Sequence, residues 1–130
     1  GGVFDQDLLD ALYVHAYSYA HGHSVGGTNP SLLRAMGAGT AVVAYDVGFN
    51  RETLAGSGWF FTDAAEAAAR FTEIDASPRE VGAVGERVRL RAAESFRWDD
   101  VAAAYESLAV RLAARQTRRT GRARRATRRR

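Results

Sequence analysis

The segment HGHSVGGTNPSLL, residues 21–33, joins a short apolar run to an apolar segment with helical spacing. Its two adjacent glycines let the backbone adopt positive φ and approach a ligand closely. Pro30 suits the first position of a helix, and Thr28 or Asn29 can cap the amides before it. The segment therefore predicts a strand, a glycine loop and a helix whose free N-terminal N–H groups favour an anion, as a nucleotide diphosphate or phosphosugar would supply.

Short apolar runs alternate with helical segments on both sides of this loop. Residues 17–20, 41–45 and 59–61 have the length of strands. The middle run, AVVAY, is continuously apolar, as expected for a parallel strand buried on both faces. Strands that alternate with helices predict βα units, and hence an α/β fold with a Rossmann-like parallel sheet and flanking helices. Ligands of such sheets bind beyond the carboxyl ends of the strands, where residues 22–29, 46–49 and 62–63 form the loops.

Helical spacing and capping residues predict six helices. The six segments are residues 5–16, 30–38, 50–54, 64–71, 78–95 and one that begins at Asp99 or Asp100. The predicted caps are Asp5, Asn50, Asp63 and a capping box at residues 77–80, with Gly37 or Gly39 ending the second helix. The residues predicted to pack inward are Leu8, Leu9, Leu12, Tyr13, Leu32, Leu33, Met36, Val101, Tyr105, Leu108 and Leu112.

Composition limits the class of protein. Of the 130 residues, 46% are hydrophobic, which is enough to bury the core of one domain. There is no cysteine, so a disulfide framework and a thiolate zinc site are both excluded. No apolar run approaches the roughly 18–20 residues of a bilayer-spanning helix, and the acidic start lacks the basic region of a signal peptide. We expect a cytoplasmic protein, with peripheral association with the inner face of a membrane as an open alternative.

Charge divides the chain into two parts. Residues 115–130 hold nine of the 18 cationic residues and no acidic residue, whereas residues 1–114 hold nine against 15 acidic residues, a net charge of −6. We expect a domain over residues 1–114 and a disordered arginine-rich tail over residues 115–130. The tail has three interpretations: weak attraction to an anionic membrane surface, binding of nucleic acid, or a solvated extension. Binding of nucleic acid through the tail is the least favoured function, since no aromatic residue interrupts its arginines.

The start of the chain bears on completeness. It begins with Gly1, and its first methionine is Met36, inside the second predicted helix. We expect a C-terminal fragment of a larger two-domain protein.

Three blocks of the sequence resemble one family. HGHSVGGTNPSLL, AMGAG and YDVGFNRE are similar to the nucleotide-sugar-binding half of GT-B glycosyltransferases of family 4 (group 1), and to a bacterial rhamnosyltransferase-like subgroup in particular. The resemblance covers roughly residues 3–112. It implies a retaining transferase of polysaccharide biosynthesis, which moves a hexosyl group, rhamnosyl among the candidates, from a nucleoside-diphosphate sugar to a glycan or lipid-linked acceptor. It implies neither a metal nor a further cofactor.

The resemblance also implies which residues bind the donor. The loop amides of residues 26–29 would hold the diphosphate, and no catalytic residue is identified. The donor-binding candidates are His21, Ser24, Gly26, Gly27, Thr28, Asn29, Arg34, Asp46 and Asn50. The family often carries two glutamates eight positions apart, which align with Gly26 and Arg34, so both are absent here. A guanidinium cannot accept hydrogen bonds from ribose hydroxyls, but it can pair with a phosphate. Because both glutamates are absent, a non-catalytic binding module is the second hypothesis.

Structural interpretations compete with these functional ones. The glycine loop can be a tight βα turn without a ligand. His21 and His23 can ligate a metal from a strand end, but no third ligand is near in sequence, and both can be packing residues. Asp46, after the second strand, can contact a sugar or cap the turn that follows.

Overall fold

The computed structural model describes residues 2–114, and the predicted arginine-rich tail lies outside them. The described residues form three strands and six helices. The strands are β1 (Ser18–His21), β2 (Ala41–Tyr45) and β3 (Trp59–Phe61), and the helices are α1 (Gln6–His15), α2 (Pro30–Gly37), α3 (Gly48–Leu54), α4 (Ala64–Ala76), α5 (Pro78–Ser95) and α6 (Trp98–Ala113). They divide into two compact units after Phe96, and α6 belongs to the second. No described helix combines the length and the apolar character needed to cross a bilayer.

The three strands form one parallel sheet in the order β1-β2-β3. Ser18 pairs with Ala41, and Val43 pairs with Trp59, so β2 is the central strand. Residues 41–44 are all buried, which confirms the prediction of a strand covered on both faces. The predicted α/β class with a parallel sheet is therefore confirmed.

The core of the first unit lies between the sheet and the four helices α2–α5. α5 packs against β2 and against α2, while α4 packs against β3. Leu32 and Met36 of α2, Leu54 of α3 and Val88 of α5 are completely buried. Full burial of such a side chain contributes about 1.5–3 kcal/mol, so this apolar layer is the main source of stability.

Both ends of α2 are determined by local sequence. The side chain of Asn29 accepts a hydrogen bond from the Ser31 amide at 2.9 Å, so of the two predicted N-cap candidates, Thr28 and Asn29, the cap is Asn29. At the other end Gly39 has φ 75°, and the amides of Gly39 and Thr40 bond back to Met36 and Ala35. This is the Schellman arrangement, which favours glycine at the left-handed position.

Several predicted boundaries and caps differ from the structure. β1 begins and ends one residue later than predicted, and α4 extends past Phe71 to Ala76. The Ser77 side chain makes no capping hydrogen bond, so the predicted capping box does not form. On α1, where Asp5 caps as predicted, Leu8 and Leu12 are each 52% exposed, and only part of the expected stripe faces the core. The four apolar residues predicted to pack on α6 are also exposed.

Candidate functional site

The carboxyl ends of the three strands lie at one edge of the sheet because all three run parallel. β1 leads into residues 22–29, β2 into residues 46–47, and β3 into residues 62–63. Open parallel sheets bind ligands at this edge. The loops singled out by the sequence therefore share one edge, and the glycine loop, residues 22–29, is the longest of them.

The glycine loop is open to solvent. Residues 22–28 are all exposed, and Gly26 has φ 122°, a conformation that side chains with a Cβ rarely adopt. A Cβ on Gly27 would meet no atom within 4 Å. The amides of residues 24–28 have no hydrogen-bond acceptor among residues 2–114. The loop thus presents free N–H donors on an open surface, next to the N-terminus of α2.

A short chain of hydroxyl groups supports the end of the loop. The Tyr19 hydroxyl donates to Ser31 Oγ at 2.8 Å, and Ser31 Oγ donates to Asn29 Oδ1 at 2.7 Å. The Asn29 side chain is therefore used for capping, whereas its neighbours in the loop keep their amides free. Sequence reasoning did not identify Tyr19 or Ser31 as supporting residues.

His21 is the last residue of β1 and is 1% exposed. Its ring stacks on His23 with a centroid distance of 5.0 Å and lies 5.8 Å from the Tyr19 ring. The alternate spacing of Tyr19, His21 and His23 is the sequence signal for this row, because alternate strand residues share a face. Neither ring nitrogen of His21 has a hydrogen-bond partner among residues 2–114. Burial lowers the pKa of His21 from its ordinary 6.5, and the charge of nearby His23 lowers it further.

We expect acid to destabilise the fold through His21. Its folded pKa is depressed, so the neutral ring contributes stability above pH 6.5 that is lost as the pH falls through the folded pKa. His21→Phe should flatten the decline of the urea-unfolding free energy that begins as the pH falls through about 6.5. His15→Gln, on exposed α1, is the control and should leave the decline unchanged. An equal decline in His21→Phe would assign the proton uptake to another group.

Asn50 lies inside α3 and is fully buried, so the prediction that it caps this helix is wrong. Val47 is at the N-cap position and provides no side-chain hydrogen bond. Asn50 Nδ2 instead donates to the carbonyl of His23 at 3.0 Å and to that of Tyr45 at 2.9 Å. These bonds connect α3 to the glycine loop and to the end of β2. A cap could be expected from local sequence, but a bond across 27 residues could not.

Asp46, directly after β2, forms a bidentate ion pair with Arg51. The hydrogen bonds that Arg51 donates to Asp46 lower the pKa of the Asp46 carboxyl and raise the pKa of Arg51. The Arg51 guanidinium also lies 4.6 Å from the centroid of the Phe60 ring. The Asp46 carboxylate is thus paired with a neighbouring arginine. Both side chains line a cleft of about 340 Å³, together with Glu66 and Arg70.

Arg34 is directed toward α1. Its guanidinium donates to Gln6 Oε1 at 3.1 Å, and its Nε lies 3.6 Å from Asp10 Oδ1. The side chain remains 41% exposed. The predicted site residue Arg34 is therefore bonded to α1 and not directed into the glycine loop.

Most of the other candidates lie in the glycine loop or contact it, and Asp46 lies beside it at the end of the adjacent strand. A cleft of about 560 Å³ is lined by residues 19–25 at the base of the glycine loop, which places His21 and Ser24 on its wall. Gly26, Gly27 and Thr28 continue the same loop, and Asn50 joins it through His23. Asp46 follows the adjacent strand. Within residues 2–114, no three carboxylate or imidazole side chains converge as a metal site would require.

Comparison with known proteins identifies the fold. No protein-family model matches the chain, and neither does any curated protein. The structure is similar to that of sucrose-phosphate synthase from Thermosynechococcus elongatus, with a TM-score of 0.79 and 25% sequence identity over 88% of this chain. The chain spans 30% of the length of that protein. It therefore has a glycosyltransferase fold, that of a GT-B Rossmann-like domain.

Proposed function

We propose that this chain is the donor-binding domain of a glycosyltransferase. The whole enzyme transfers a hexosyl group from a nucleoside-diphosphate sugar to a glycan or lipid-linked acceptor. The observation that carries the proposal is the exposed glycine loop, with the amides of residues 24–28 free at the carboxyl edge of the parallel sheet. The similarity to sucrose-phosphate synthase supports the transferase class. Assignment to retaining family 4, and rhamnose as the sugar, are proposed from the sequence resemblance.

The chemistry assigned to the loop is electrostatic. A departing nucleoside diphosphate gains negative charge, and fixed N–H donors stabilise that charge without reorganising. The amides of residues 26–29, together with that of Ser24, are the proposed donors, at the N-terminus of α2 where the helix dipole adds partial positive charge. This part of the mechanism needs no metal ion.

The remaining proposed ligand contacts have different roles. His21 is buried at the base of the loop, and burial lowers its pKa, so its neutral ring suits a neutral polar group of the donor. Asp46 suits the hydroxyls of a sugar, because Arg51 keeps it ionised as an acceptor. Arg34 would have to leave Gln6 and Asp10 to reach a phosphate.

Calorimetric titration with a panel of nucleoside diphosphates, their sugars and nucleoside monophosphates tests the assignment. We expect the diphosphates to bind about tenfold or more tightly than the monophosphates, because the second phosphoryl group adds charge-assisted bonds to loop amides. Deleting residues 115–130 is the control. The deletion should preserve this affinity and abolish binding to anionic vesicles. Our proposal for the tail is that it attracts this cytoplasmic enzyme to an anionic membrane surface. A folded sample that binds no nucleotide, or loses nucleotide binding with the tail, would contradict the proposal.

A catalytically inactive nucleotide-binding module is the second candidate. It is favoured by Gly26 and Arg34, which stand where the resembled family has glutamates, and by the bonds that hold Arg34 against α1. The reading frame upstream of Gly1 distinguishes the two. An in-frame acceptor domain favours the transferase, and its absence favours the module.

A further inference from the structure

Asn50 connects three elements through a single amide group. Its Nδ2 has two hydrogens, and both are used, one on the His23 carbonyl and one on the Tyr45 carbonyl. Because both partners are acceptors, the orientation of the amide is determined by its surroundings. The side chain is fully buried, so it cannot itself touch a ligand on the surface.

The two carbonyls differ in how much they depend on Asn50. The Tyr45 carbonyl also accepts the Val47 amide at 3.0 Å. The His23 carbonyl has Asn50 as its partner among residues 2–114. Loss of the Asn50 amide would therefore release the peptide between His23 and Ser24, while the end of β2 keeps a bond.

The direction of this peptide determines where Ser24 presents its amide. A trans peptide is planar, and its C=O and N–H groups point in opposite directions. None of the described peptide bonds is cis. Since the His23 carbonyl is turned toward α3, the Ser24 N–H is turned away from it. Ser24 is exposed, and its amide has no acceptor among residues 2–114.

We propose that Asn50 is a positioning residue of the candidate site, which holds the His23 carbonyl so that the Ser24 amide becomes an anion-binding donor beside those of residues 26–28. This inference rests on the proposed function and adds to it the residue that orients the first amide of the loop. Asn50 acts through the backbone of residues 23–24 and not by contact with the ligand.

Two variants of Asn50 and one matched control test the proposal. Asn50→Leu removes the donors, and Asn50→Asp keeps the size but turns an oxygen toward the His23 carbonyl. Thr53→Val is the control, because Thr53 is also buried in α3 but its hydroxyl bonds to Phe49 within the helix, at 2.7 Å. Thermal unfolding measures the stability of each variant, NMR follows the Ser24 amide in the ligand-free 130-residue chain, and calorimetry measures the affinity for inorganic pyrophosphate.

We expect both Asn50 variants to shift the Ser24 amide resonance, to speed its hydrogen exchange and to weaken pyrophosphate binding about tenfold, the effect of one lost charge-assisted hydrogen bond. Thr53→Val should change stability alone. The proposal is overturned if the Asn50 variants match Thr53→Val in both the Ser24 signal and the affinity, or if both unfold where Thr53→Val stays folded. If the unsubstituted protein binds neither pyrophosphate nor any nucleoside diphosphate, the proposed function fails, and the Ser24 signal still decides whether Asn50 orients the loop.

Discussion

Replacing Gly27 with valine is expected to weaken nucleoside diphosphate binding at least tenfold while leaving the fold intact. A Cβ at this position meets nothing within 4 Å, so the protein has room for the new side chain. A bound diphosphate would have to occupy that same space to reach the amides of the loop. Loss of one or two charge-assisted bonds, at about 1.5–3 kcal/mol each, weakens binding roughly tenfold to ten-thousandfold. Calorimetry on the purified variant measures the change.

Gly37→Val is the matched control for this experiment. Gly37 is exposed at the C-terminal end of α2, and a Cβ there also meets nothing within 4 Å. The same substitution is thus made in equally open surroundings, at the opposite end of the helix from the loop. Both variants should unfold at nearly the same temperature, and only Gly27→Val should lose affinity. Equal affinities would place the nucleotide away from the glycine loop.

Gly85→Ala is expected to destabilise the first unit by about 3 kcal/mol or more, the upper range for overpacking. Gly85 lies in the middle of α5, and a Cβ on it would overlap the carbonyl oxygen of Gly39. That oxygen belongs to the backbone of the turn that ends α2, so it cannot rotate away as the tip of a side chain would. The cost should appear as a lower urea midpoint with an unchanged denaturant slope.

Gly82→Ala, three residues earlier in the same helix, gives the opposite expectation. A Cβ on Gly82 meets nothing within 4 Å, and alanine stabilises an exposed helix position by about 1 kcal/mol relative to glycine. Opposite signs at the two positions would show that α5 approaches the α2–β2 turn through Gly85. A neutral or stabilising Gly85→Ala would contradict that packing.

The parts of the fold that were predictable have strong local signals. β2 has the predicted bounds because a run of five consecutive apolar residues is typical of a parallel strand buried on both faces. β3 also has its predicted bounds. The start of α2 was predictable because Asn29 and Pro30 each favour one position at a helix N-terminus. The exposed position of the glycine loop follows from its place at the end of a parallel strand.

The parts that were not predictable depend on distant partners. Asparagine is a common N-cap residue, but Asn50 lies inside α3, where its side chain donates to two carbonyls of other elements. Asp46 pairs with Arg51, and Arg34 pairs with Asp10 of α1. Neither pairing follows from the residue types alone. The Ser77 box fails because its N-cap residue has φ −132° and ψ 61°, and the side chain accepts no bond from the helix. Periodicity carries information within an element and little about which elements meet.

The strands lie side by side in the same order in which they occur along the chain. Each pairing, Ser18 with Ala41 and Val43 with Trp59, therefore closes a segment of only about twenty residues, at a small entropic cost. Folding rates rise as the sequence separation of contacting residues falls, so this strand order favours faster folding than pairing of more distant strands would. During synthesis, β1 and β2 can pair as soon as both have left the ribosome, and the nascent sheet can then grow one strand at a time, before the arginine-rich residues 115–130 have been translated.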